Sequence, residues 1–194
     1  KGKVGNIPSC AWYPDPEDSA YGDCLTPPRG YSQGAQLTGI ALDAAGNVYV
    51  VSSYFLCYRP FNECVNRDGA VWKITPDGKA TVLGIITGNG PLGIAVDAAG
   101  NVYTANYDSN NVSKIIPNIA DDVLGISTIL GETGSGPSAI AVDADGNVYT
   151  ANRNSNNVSK ITPNGASSIL GTTGEGPRAI ALDAVGNVYT ANAL

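Results

Sequence analysis

Apolar positions along the chain fall in short runs of about five residues, separated by polar stretches rich in Gly, Asn and Asp. Residues 140–161 illustrate the pattern. IAVD (Ile140 to Asp143) is an apolar run too short for a helix and reads as a strand buried on both faces. Ala144-Asp145-Gly146-Asn147 is turn chemistry, since Gly takes positive φ without cost and Asx side chains bond nearby backbone N–H groups. VYTAN (Val148 to Asn152) is β-branched and aromatic and reads as a second strand. RNSNN is a polar loop. VSKIT (Val158 to Thr162) alternates apolar with polar, as a half-exposed strand does. A turn at Pro163-Asn164-Gly165 leads to a fourth, outer strand, SSILG. Helical periodicity is absent throughout.

The unit recurs. Its Gly-Asn-Val-Tyr tetrad begins at Gly46, Gly100, Gly146 and Gly186, at spacings of 54, 46 and 40 residues. The shortest spacing is the bare unit. The first unit carries an insertion containing FLCYRPFNEC, read as an irregular segment, and the second carries one around NIADDVLG. Four short antiparallel strands per roughly 40 residues, joined by Gly-rich turns, predict blades of a β-propeller. A lone four-stranded meander cannot cover both of its faces, so such sheets are stable only when stacked. The predicted division is an N-terminal strand and cap over 1–35, blades over 36–90, 91–136 and 137–176, and a partial blade over 177–194.

The phrase G-P-x-x-I-A-V-D-x-x-G-N-V-Y-x-x-N…N-V-x-K-I-x-P-x-G resembles the NHL-type repeat. It is also similar to the blades of streptogramin lyases and of SMP-30/gluconolactonase propellers. The resemblance covers residues 36–194 and implies an all-β propeller-type array. It implies no single activity, because these families include enzymes, binding domains and scaffolds.

Asp43, Asp97, Asp143 and Asp183 each end a first strand, three residues before a Gly-Asn. A carboxylate there can accept from the backbone N–H groups of the turn and lock the hairpin. Asn106, Asn152 and Asn192 are expected to do the same at the far end of the second strand. A calcium loop is the competing reading of Asp143-Ala-Asp145-Gly146-Asn147. Against it, Asp145 is replaced by Ala45, Ala99 and Val185 in the other units, and no bidentate Glu follows.

The chain contains no histidine, which removes Ser-His and Cys-His nucleophile pairs and imidazole ligands. Streptogramin lyases use histidine, so that activity does not carry over. Gluconolactonase-like propellers hold a metal with Glu, Asn and Asp. Here Glu is sparse (Glu17, Glu63, Glu132 and Glu175), and Glu132 and Glu175 sit in equivalent connectors. No catalytic residue, cofactor or metal site is therefore assigned. The aromatic groups Trp12-Tyr13-Pro14 and Tyr54-Phe55…Tyr58…Phe61 read as a cap over the first blade, or as a binding patch at that end.

Net charge is −6 with 11 scattered Lys and Arg, which argues against nucleic acid and anionic membrane surfaces as partners. No apolar run reaches the roughly 20 residues of a bilayer span. Cys10, Cys24, Cys57 and Cys64 make an even set without C-x-x-C spacing. Two disulfides are expected, with Cys57–Cys64 and Cys10–Cys24 favoured among three pairings. Asn111-Val-Ser and Asn157-Val-Ser are N-glycosylation sequons. Together with the lack of Met, these features predict a secreted, glycosylated protein.

The last unit supplies two strands, and KGKVGNI at residues 1–7 weakly resembles a fourth strand. Three arrangements are open: a fragment of a longer propeller, a small or incomplete ring, or pairing with another copy by strand addition. The sequence favours a non-enzymatic structural or interaction role, with other copies or another protein as partner and head-to-tail fibre growth as one outcome. The alternative is a metal-dependent lactonase- or lyase-type propeller, or a carbohydrate- or protein-binding one.

Overall fold

The computed structural model describes residues 31–58, 63–118 and 124–193, and no helix occurs among them. Cys10, Cys24, Trp12, Glu17 and residues 1–7 lie outside the described residues.

The first sheet contains β1 (Tyr31–Leu42), β2 (Val48–Tyr58), β3 (Glu63–Ile74) and β4 (Ala80–Ile85). The second contains β5 (Pro91–Val96), β6 (Val102–Asn106), β7 (Asn111–Ile116) and β8 (Ile126–Glu132). The third contains β9 (Pro137–Val142), β10 (Val148–Asn152), β11 (Asn157–Ile161) and β12 (Ser167–Thr172). Two strands, β13 (Pro177–Leu182) and β14 (Val188–Asn192), form a fourth sheet. Each sheet is an antiparallel meander in chain order. This is the architecture of propeller blades.

The sheets stack as wedges. The first strands β1, β5, β9 and β13 touch in succession, whereas the outer strands β4 and β8 barely meet. Small residues permit the close inner approach. A Cβ added at Gly39 would stand 2.8 Å from the Leu92 carbonyl oxygen, so only glycine lets β5 come this near. Between the first and second sheets, Tyr49, Val51, Val71, Ile86, Ile94, Val102 and Ile115 form one core. Between the second and third, Ala95, Tyr103, Ala105, Val112, Ile140, Val148 and Ile161 form the next.

Two sequence expectations need correction. The FLCYRPFNEC insertion is not an irregular segment: its described residues lengthen β2 and β3 into a long hairpin that places the Cys57 backbone opposite Cys64. The third strand is also less exposed than its alternation implied. In β11, Val158, Ser159 and Ile161 are all buried. The hydroxyl that seemed to mark a solvent face is satisfied inside the stack, where Ser159 Oγ accepts from Gly134 N at 2.9 Å.

Candidate functional site

The stack has two ends. One end carries the first-to-second-strand turns, and there the four aspartates do the same work. Asp97 Oδ1 accepts from Ala99 N and Asn101 N, each at 2.9 Å. Its Oδ2 accepts from Asn101 Nδ2 at 2.8 Å and from the Tyr103 hydroxyl at 2.9 Å. Asp43, Asp143 and Asp183 repeat the set with Tyr49, Tyr149 and Tyr189. Lys73, Lys114 and Lys160 then lie 5.9, 5.5 and 5.4 Å from the centres of the Tyr49, Tyr103 and Tyr149 rings. Burial raises the Asp97 carboxyl, but hydrogen bonds from Asn101, Tyr103 and Ala99 outweigh it and hold the group below its ordinary value. Burial, with the Asp43 carboxylate beside it, pushes the Tyr49 hydroxyl up to about 12. Both carboxylate oxygens of each turn aspartate are engaged by the chain itself, which marks these aspartates as scaffold.

The other end carries the second-to-third-strand turns and the connectors between sheets. The connectors are stitched to neighbouring turns. Gly90 O accepts from Tyr107 N at 2.9 Å and Gly136 O accepts from Arg153 N at 2.8 Å. Gly136 N donates to Asn110 Oδ1 at 2.8 Å, with Asn110 held at φ 54°. Beneath these turns the buried side-chain amide of Asn106 bonds Thr104, Asn111 and Ser113, and Asn152 bonds Thr150, Asn157 and Ser159. The sequon residues Asn111 and Asn157 are therefore half-buried members of polar networks. Glu132, which ends β8, and Glu175, in the connector before β13, are both exposed.

On this end, Gln36, Thr38, Ser53, Gly90, Leu92, Tyr107, Asp108 and Arg153 line a cleft of about 250 Å3. Its walls are fixed by hydrogen bonds. Thr38 Oγ1 donates to Pro91 O at 2.7 Å, and the Tyr107 hydroxyl donates to Asn154 Oδ1 at 3.0 Å across to the third sheet. Gly90 has φ +64°, and a Cβ there would fall 2.3 Å from Asp108 Oδ2, so glycine is required on both counts. The lining offers one carboxylate, one guanidinium, hydroxyls, an amide, and the apolar surfaces of Leu92 and Tyr107.

None of these lining residues was selected by sequence reasoning, although a signal exists. Residues 101–115 and 147–161 are identical except at two positions: Tyr107-Asp108 stands where Arg153-Asn154 stands. Three of those four residues line the cleft, and the fourth, Asn154, bonds Tyr107. The shared residues build the blade, and three of the four that differ line the cleft.

No protein-family model matches the chain, and no curated protein matches its sequence. Solved structures do match. A putative gluconolactonase superposes with a TM-score of 0.60 at 17% identity, over 81% of this chain and 56% of that one. A gluconolactonase from Xanthomonas campestris gives 0.57 at 14% identity, over 78% and 53%. Virginiamycin B lyase from Staphylococcus aureus gives 0.53 at 15% identity, over 84% and 68%. The chain thus spans little more than half the length of the two gluconolactonases. At these identities the likeness establishes the propeller-type fold, in agreement with the NHL, SMP-30 and streptogramin-lyase resemblance of the blade phrase.

Proposed function

We propose that the chain binds a small hydroxylated ligand, of sugar-lactone class, in the cleft at its connector end. The observation that carries this is that three of the four residues differing between two otherwise identical stretches line the cleft. Leu92 and the Tyr107 ring offer an apolar face for a sugar ring, while Asp108 and Arg153 supply an acceptor and a forked donor for hydroxyl and carbonyl groups. The names of the gluconolactonase neighbours suggest the ligand class.

The cleft's lining does not fit a catalytic metal. Among the described residues no group of three His, Cys, Asp or Glu side chains could hold one, and Asp108 is the cleft's single carboxylate. Any hydrolysis of a bound lactone at this cleft would rest on Asp108 orienting a water, with Arg153 donating to the developing oxyanion.

Titration calorimetry with glucono-lactone and its hydrolysis product tests the reading. Saturable binding is expected, weakened roughly tenfold or more by Asp108→Asn or Arg153→Ala, the loss of one charge-assisted hydrogen bond. No binding to the unaltered chain would reject it. The secreted, disulfide-linked and N-glycosylated setting belongs to the same proposal, supported by the two sequons and by Cys57 standing opposite Cys64 in register. Intact mass before and after reduction and deglycosylation checks it.

A further inference from the structure

Among the described residues, buried polar side chains are paired. Thr104 and Ser113 meet Asn106, and Thr150 and Ser159 meet Asn152. Ser52 Oγ donates to Ala70 O at 3.3 Å. Ser53 is the exception. It is 2% exposed, and its hydroxyl has no hydrogen-bond partner among the described residues. A hydroxyl buried without a partner costs stability, so a native fold that keeps one calls for a reason.

The reason lies in where β2 carries Ser53. The residue lines the cleft at the connector end. Its side chain follows Tyr49 and Val51 at a spacing of two, and both of these pack against the second sheet, on the side where Leu92 and Tyr107 form the cleft. Opposite it on β1 stands Gln36, another lining residue. The pairing of β2 with β3 shifts register between Ser52 and Tyr54, which puts Ser53 on a β-bulge. Bulges of this kind re-aim side chains beside binding sites. In the repeat, Ser53 follows Gly46 at the distance by which Tyr107 follows Gly100 and Arg153 follows Gly146, and all three line the one cleft.

We propose that the Ser53 hydroxyl is a ligand contact that the fold holds unpaired, and that it pairs with one hydroxyl of the bound ring. This rests on the ligand class proposed above and adds the residue that reads a hydroxyl at the buried side of the ligand. Asp108 accepts and Arg153 donates, whereas Ser53 Oγ does both, which suits an alcohol group in either orientation.

Ser53→Ala and Ser52→Ala, compared by thermal melting without ligand and by calorimetry with glucono-lactone, test this. Ser53→Ala is expected to melt at or above the temperature of the unaltered chain, because it removes a buried group that no bond in the fold satisfies, and to bind roughly tenfold more weakly. Ser52→Ala loses the bond to Ala70, and is expected to melt lower and bind as the unaltered chain does. A role confined to the fold would move both readouts of Ser53→Ala downward together. Melting of Ser53→Ala below the unaltered chain would show the hydroxyl to be satisfied within the fold and would overturn the proposal. Undiminished lactone binding by Ser53→Ala would also overturn it while leaving the reading of the cleft intact. Absence of binding by the unaltered chain would reject that reading, and this inference with it.

Discussion

Asp97 accepts four hydrogen bonds from one turn and one tyrosine, so removing its carboxylate strands several donors at once. Asp97→Ala is expected to cost about 2–3 kcal/mol, lowering the melting temperature by roughly 5–10 °C in a domain of this size. Acid acts on the same bonds. The four turn aspartates have depressed pKa values in the folded chain. Their stabilisation is therefore present above the unfolded value of about 3.9 and is lost as pH falls below it toward the folded values. Denaturant midpoints measured at falling pH should stay level to about pH 5 and then drop. Alkali acts on the tyrosines with the opposite sign. Tyr49 is raised to about 12, so the unfolded chain loses its proton first, near 10, and stability declines between those values. Absorbance titration should show a late-ionising tyrosine class.

At the scale of strands, the glycines of the stack divide by what lies beyond them. Gly39 faces the Leu92 backbone at a distance that admits no methyl group, and Gly39→Ala is expected to cost about 1–3 kcal/mol by forcing two sheets apart. Gly171, on β12, has nothing within 4 Å of an added Cβ, and Gly171→Ala should be neutral or slightly stabilising. Chemical denaturation of the pair checks both. The hairpins were legible in sequence because Asp, Gly and Asn announce their own backbone geometry at each turn. The extension of β2 and β3 was not, since a cysteine- and proline-bearing insertion carries no clear period of two. Nor was the burial of Ser113 and Ser159, because a hydroxyl that reads as solvent-facing on one strand is satisfied by Asn106 or Gly134 from other segments.

Across the whole molecule, the propeller-type stack was readable from the recurring unit, while the cleft was not. Gln36, Thr38, Ser53, Asp108 and Arg153 come from three sheets, and only the wedge angle between sheets brings them to one opening. Sequence could mark the positions that vary between otherwise identical units, but not where those positions point. The result is a division of labour between the two ends. At the aspartate end the four carboxylates are spent on locking their own hairpins, whereas the connector end presents varied side chains to solvent. Amide chemical-shift mapping with glucono-lactone tests this division most directly. Perturbations clustered on Thr38, Gly90, Leu92, Tyr107, Asp108 and Arg153 are the expected result. Perturbations centred on the Asp43, Asp97 and Asp143 turns, or none at saturating lactone, would contradict it.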